Sequence, residues 1–208
     1  LSRELGTRLT GRYLFHEMFT FWYAEFLAYS KKADSNESFA DYLNLSGFPE
    51  YLREQNPEVL QNLLKDIVFR DIAIRYSIKN TKTLMDITLF LISKNPKKIY
   101  CIDTYFAKAN SLSFSKDQSQ LLENPAYLLL RKANRKSYYF RERKECDFVV
   151  FEDKSYKWLI QVTEKVHVNN QQRELNGLLE AMTFFGKTEG FIPTLEQIDF
   201  MTFGDQTV

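Results

Sequence analysis

The chain has 208 residues, 44% of them hydrophobic, with 28 Lys and Arg against 27 Asp and Glu for a net charge of +1. A real core can form, but no global charge steers the chain to nucleic acid, so any basic footprint must be local. No apolar run reaches the ~18 residues of a membrane span, and nothing at the start reads as a signal peptide.

Residues 1–32 join a basic, Gly-punctuated start to an aromatic run, and residues 17–29 suit a helix. ADSNES, residues 33–38, is a polar loop and a boundary. A turn follows at Gly47-Phe48-Pro49. Asn56 can cap a helix that opens on Pro57. Leu60, Leu63, Leu64, Ile67 and Ile74 then recur at helical spacing. A second helix fits residues 81–94, with Leu84, Ile87, Leu91 and Ile92 inward, and Asn95-Pro96 ends it. KIYCI, residues 98–102, reads as a short strand, followed by a short helix and a Ser-rich turn. Closely spaced helices before a short strand suit a winged-helix-like module or a plain helix bundle.

The texture changes near residue 118. Helix-like SQLLENPAYLLLRKA gives way to three β runs, SYYFRER, CDFVVFED and KWLIQVT. In QQRELNGLLEAMTFFG, Leu175, Leu178, Leu179 and Met182 form an i, i+3, i+4, i+7 stripe, and Gly186 can end the helix. EGFIPT and IDFMTF add two strand-like runs. The expected class is α+β: a helical region, then an α/β sandwich of order α-β-β-β-α-β with a further strand. The expected domains are 1–32, 33–117 and 118–208.

No GxxxxGK[ST] phosphate loop and no GxSxG are present. Cys101, Cys146, His16 and His167 have no zinc-ligand spacing. Both thiols are therefore expected reduced, in a cytoplasmic protein. Glu123, Asp147, Gln161 and Thr163 form the constellation with chemical content. A Mg²⁺ nuclease needs carboxylates for the metal and a cation near the attacking water. An acid on a helix, an acid on one strand and an acid-x-Lys on the next would supply them. Here that last element is Gln161-x-Thr163, both neutral; Lys165 shares their strand face if the strand continues. The plain alternative makes Asp147 a polar strand-start residue and turns Gln161 and Thr163 to solvent. Beside the site, residues 131–144 hold seven cations: Arg131, Lys132, Arg135, Lys136, Arg141, Arg143 and Lys144. They read either as a phosphate-backbone track or as a solvated helix end and strand edge. Lys94, Lys97 and Lys98 could mark a wing. Glu50, Arg53, Lys65, Asp66, Arg70, Asp71 and Arg75 read as surface or interhelix ion pairs.

Several blocks carry a family resemblance. LSRELGTRLTGRY resembles the end of the ATPase core in a family of bacterial and archaeal predicted AAA+ ATPases. YLNLSGFPEYL, LLKDIVFRDIAIRYSIKN, DTYFAKANSLS, LLENPAYLLLRK, KECDFVVF and LIQVT resemble further blocks of it, in order. The resemblance implies a winged-helix-like segment followed by a restriction-endonuclease-like domain of unknown function. It also implies a parent ATPase that binds ATP and Mg²⁺ through an N-terminal half not included here, and that forms homo-oligomers through that half. By resemblance, Arg8 and Arg12 follow the sensor strand and lie near a nucleotide. Asp147 and Glu123 match nuclease-fold acids. Gln161 stands in place of the second acid and Thr163 in place of the lysine. Pro125 suits a helix start after Asn124, which would aim Glu123 away from Asp147. The reading from sequence is a nuclease-like module with a degraded site that binds nucleic acid or a partner without cleaving. The alternatives are an active Mg²⁺ nuclease using Asp147 and Lys165, or a pure protein-interaction or oligomerisation domain.

Overall fold

A computed structural model describes residues 16–94, 99–111, 118–152, 155–166, 170–195, 202–203 and 205–208. The protein is α+β. Its first part is helical: α1 (Tyr23–Ser30), α2 (Asn36–Asn44), α3 (Pro49–Glu54), α4 (Pro57–Asp66), a π-helical segment (Ile67–Ile74), α5 (Thr81–Lys94) and α6 (Thr104–Asn110). The second part runs α7 (Gln118–Lys132), β1 (Lys136–Arg141), β2 (Glu145–Glu152), β3 (Ser155–Ile160), α8 (Gln171–Phe185), β4 (Thr202–Phe203) and β5 (Gln206–Thr207). No helix among the described residues is long and apolar enough to cross a membrane.

Local chemistry places most helix starts. Ser35 caps α2 by accepting the Ser38 N–H at 3.1 Å, and Asn56 caps α4 through Glu58 N–H at 3.0 Å, with Pro57 just inside. Such caps satisfy amides that the helix itself leaves orphaned. The expected helix over 17–29 begins only at Tyr23, because residues 16–22 serve a tertiary contact. Phe21 N–H donates to the Gly47 carbonyl at 2.8 Å. A β-carbon on Gly47 would lie 2.4 Å from the Phe21 carbonyl oxygen, so only glycine permits that approach.

Tyr51, Leu60, Leu64, Val68 and Phe106 form the helical core. Leu60 and Leu64 fall where the period requires, but Ile74 does not. It is 72% exposed, and Ala73 is buried in its place. The chain widens into π geometry after Asp66, and that wider turn moves Ile74 off the α-helical face. On α5, Leu84, Met85, Leu89 and Ile92 pack inward, whereas the expected Ile87 points out at 52% exposure. The expected KIYCI strand is absent over its described part, residues 99–102, and no strand lies among the described residues 33–111. A winged-helix wing therefore has no strand there. Asp103 takes over that stretch as the cap of α6.

The sheet is antiparallel, in the order β1-β2-β3, with helices on both faces. On one face α8 buries Leu178, Ala181 and Met182 against Phe140, Cys146, Val149 and Leu159. Leu175, Leu178 and Met182 are buried and Gly186 ends α8 at φ 62°, as the sequence pattern predicts. On the other face Leu122 of α7 packs with Phe148, Val150 and Val162. Pro125 lies inside α7, not at its start. Asn124 has no capping duty there. Its carboxamide instead accepts Cys101 N–H at 2.8 Å and donates to the Thr104 hydroxyl at 3.2 Å. Beyond α8 the chain returns beside β3. Phe191 N–H donates to the Leu159 carbonyl and Gln161 N–H to the Phe191 carbonyl, both at 2.9 Å, in a parallel pairing. The expected EGFIPT strand is this pairing. Of the expected IDFMTF strand only Thr202–Phe203 is among the described residues.

Candidate functional site

A bulge in β2 builds the site. Tyr138 pairs with Val149 and Phe140 with Cys146, so Asp147 and Phe148 together oppose Tyr139. Such a bulge re-aims side chains and is frequent beside functional sites. Asp147 is 7% exposed. Its Oδ2 accepts Val162 N–H at 2.9 Å, which ties β2 to the strand end beyond β3. Neither Gln161 nor Thr163 faces solvent: they are 8% and 1% exposed. The plain alternative therefore fails for these two residues, because the chain returning at Phe191 and Pro193 covers this strand end. Thr163 N–H donates to the Pro193 carbonyl at 3.3 Å.

Gln161 is the hub. Its Oε1 accepts Asp147 N–H at 3.3 Å, and its Nε2 donates to Glu174 Oε2 at 2.8 Å. Glu174, on α8, is 3% exposed. Its other oxygen accepts two bonds from Arg173, from Nε at 3.0 Å and from a terminal nitrogen at 2.5 Å. The Arg173 side chain is itself mostly in solvent. A polar chain thus runs from the surface guanidinium through Glu174 and Gln161 to the Asp147 backbone. The amide accepts from an N–H at one end and donates to a carboxylate at the other, which an ionised carboxylate in its place could not do. Sequence reasoning missed Glu174. One signal pointed to it: Leu178 and Ala181 lie four and seven residues on, which puts Glu174 on the buried stripe of α8.

Glu123 is half-buried on the helix that continues through Pro125. Burial pushes the Tyr100 phenol well above its ordinary pKa, and the Glu123 and Asp147 carboxylates push it further. Both acids therefore act on one phenol, which stays neutral. The Tyr100 hydroxyl is buried with no hydrogen-bond partner among the described residues, and its ring stacks on Tyr127 at 4.2 Å. Tyr139, across the bulge, is pushed up to about 12 by burial first and by Glu145 second. No group of three or more His, Cys, Asp or Glu among the described residues could hold a metal ion. The strand that would carry Lys165 onto the Gln161 face does not continue: β3 ends at Ile160 and the chain bends at Glu164.

The basic track is largely committed within the molecule. Arg131 pairs with Glu17, Arg135 with Glu152, and Arg141 with Glu145 at 3.4 Å. Lys132 pairs with Glu25 at 3.5 Å and sits 4.3 Å from the centre of the Trp22 ring. Lys136, Arg143 and Lys144 are exposed and form no ion pair among the described residues. The Arg143 backbone N–H donates to Glu180 at 2.9 Å, which pins the hairpin tip to α8. Of the expected helix pairs, Arg70 meets Asp66 at 3.4 Å, while Arg53 meets Glu54 at 2.9 Å. Arg8, Arg12, Lys97, Lys98, His167 and the Lys94 side chain lie outside the described residues.

The class so defined is an α+β protein with a bulged sheet between helices and a buried amide-bridged acidic cluster. An uncharacterized protein of Methanocaldococcus jannaschii is 27% identical across 88% of this chain. An uncharacterized protein of Haemophilus influenzae is 33% identical across 48% of it. The chain spans 57% of the length of the first and 28% of the second. No protein-family profile and no solved structure matches the chain.

Proposed function

We propose that this chain is a nuclease-like scaffold that binds without cleaving, the C-terminal accessory region of a predicted AAA+ ATPase. The Gln161 bridge carries the reading. A hydrolytic Mg²⁺ site would need a carboxylate there, free to face the metal. Here a neutral amide is spent on Asp147 N–H and Glu174, and Asp147 Oδ2 is spent on Val162 N–H. The α-β-β-β-α order with a parallel return beside β3 is consistent with a restriction-endonuclease-like core. The ordered sequence blocks support the ATPase parent, whose ATP and Mg²⁺ would be held by a phosphate loop that this sequence lacks. Both relatives are also longer than the region they share with this chain.

The cations open to a polyanion are Arg143 and Lys144 at the β1–β2 turn and Lys136 at the opposite end of β1, none of which forms an ion pair among the described residues. Three phosphate contacts give a log–log salt slope of about −3 on duplex DNA, where seven would give about −6. The test titrates labelled duplex and single-stranded DNA at two salt concentrations, with and without Mn²⁺. Salt-dependent binding without product, weakened by Arg143→Ala with Lys144→Ala, is expected. Product that disappears in Asp147→Ala would overturn the reading in favour of a nuclease. A second reading, a protein-contact module, draws on the four cations of the track already paired to carboxylates. Absence of DNA binding at low salt would select it.

A further inference from the structure

The π-helical segment creates a surface that the reading above does not use. It extends α4 by eight residues, well beyond the single-turn bulge that is usual, and π geometry concentrates at functional sites. Its effect is to turn apolar side chains outward. Ile74 is 72% exposed and Tyr76 65%. Ile74 stands at an open groove of about 680 Å³ lined by Phe69, Ala73, Ile74, Ile78 and Lys79. Ser77 closes the segment in the left-handed region, at φ 53°.

Cations outnumber acids along this stretch: Lys79 lines the groove, Arg75 and Lys82 adjoin the lining residues Ile74 and Thr81, and Asp71 is the one acid of the π segment. Arg75, Lys79 and Lys82 are exposed and form no ion pair among the described residues. No Asp or Glu occurs between Asp71 and Asp86. An apolar floor with a cationic rim recognises apolar side chains on one face of a ligand and carboxylates on its flanks. We propose that the groove docks an acidic amphipathic α-helix of a protein partner. Its apolar residues at i, i+3, i+4 and i+7 would seat on Phe69, Ile74 and Ile78, and its carboxylates would meet Arg75, Lys79 and Lys82.

A second copy of this chain fits poorly, because a two-fold contact would oppose the same three cations. Residues 1–15 fit poorly as well: Arg3, Arg8 and Arg12 against Glu4 give them the same sign as the rim. An anionic bilayer suits the charge. The vesicle arm of the test below separates that partner from a helix.

The test uses the whole chain and fluorescence anisotropy with a labelled model helix of about 18 residues. The helix carries Leu on one face and Glu on the other; its counterpart carries Lys in place of Glu. Saturable binding of the Glu helix is expected, at least about tenfold tighter than that of the Lys helix. Ile74→Asp and Lys79→Glu should each weaken it about tenfold. Met18→Asp, at a residue 87% exposed outside the groove lining, should leave it unchanged. Both groove positions are exposed, and circular dichroism melts check that each variant is folded. Equal binding of the two helices would overturn the proposal, as would binding of the Glu helix indifferent to Ile74→Asp. So would Ile74-dependent capture by phosphatidylserine vesicles without binding of the Glu helix. None of these outcomes depends on the hairpin cations, so failure here leaves the DNA reading standing.

Discussion

The helical half and the sheet half break the usual inside–outside rule in opposite directions. Around the π segment, apolar Ile74 and Tyr76 stand in water. Around the β2 bulge, Asp147, Gln161, Thr163 and Glu174 are buried. Each departure costs stability by a different route. An exposed isoleucine forgoes burial energy of about 2 kcal/mol but leaves nothing unsatisfied. A buried carboxylate without a partner costs several kcal/mol, so every polar atom there needs its bond. Substitutions should therefore be severe in the sheet half and mild at the groove. That asymmetry can be broken experimentally.

The largest effect is expected at the hub. Gln161→Glu removes the only donor between Gln161 and Glu174 and sets two carboxylates at about hydrogen-bond distance. The expected cost is about 3–5 kcal/mol at neutral pH, the range for an uncompensated buried charge. One of the two acids then holds a proton more tightly folded than unfolded. The penalty is full above that raised folded pKa and shrinks as pH falls toward the ordinary Glu value of about 4.3. Urea denaturation of both proteins from pH 8 to pH 4 measures it. A deficit independent of pH would mean that the bridge is not what holds Glu174.

Next comes Gly177. A β-carbon there would lie 1.9 Å from the Glu145 backbone carbonyl oxygen. Backbone cannot swing aside like a side chain, so α8 must lift from the start of β2. Gly177→Ala is expected to lose about 3 kcal/mol despite its better helix propensity. A gain in denaturant midpoint would show that α8 sits further from the sheet.

Asp103 tests whether the helical half has a polar anchor of its own. Its carboxylate accepts the Ser46 hydroxyl at 3.0 Å, Gly47 N–H at 2.7 Å and Phe106 N–H at 2.8 Å. It joins the Gly47 turn to the start of α6. Burial nonetheless holds its carboxyl above the usual carboxylate range, and those bonds only partly offset this. The folded state therefore binds the proton more tightly than the unfolded state. The stabilisation from Asp103 is full below the ordinary Asp pKa of about 3.9 and declines as pH rises through the folded value. Asp103→Ala is expected to cost about 2 kcal/mol, from a lost cap and orphaned amides. The loss should be larger at pH 4 than at pH 8, as read from paired denaturation curves.

The sequence carried the sheet half well because its signals are local. The α8 stripe, the stop at Gly186 and the three β runs each follow from neighbours a few residues apart. The site's depth was not local: Gln161 and Thr163 are buried by Phe191 and Pro193, some 30 residues on. Glu174 hid behind the ordinary expectation that a helical glutamate is solvated. In the helical half, periodicity assumed one constant turn, and the π segment breaks that assumption after Asp66. Pro125 misled for a related reason. Its missing N–H is a weak stop signal when, as here, Asn124 is engaged by Cys101 and Thr104.

Ile74 gives the smallest expected effect and the sharpest test of the contrast. An α-helix continuing from α4 would place Ile74 one heptad after Ile67, on the same inward face. Ile74→Asn would then put an amide into the helical core and cost several kcal/mol. With the π turn, Ile74 stands in water and Ala73 takes the inward place. The same substitution should then move stability by no more than about 0.5 kcal/mol. Ala73→Leu, overfilling the inward site, should cost about 2 kcal/mol. Denaturation curves that rank the two variants the other way would restore the α-helical register. They would also remove the apolar floor on which the docking groove depends.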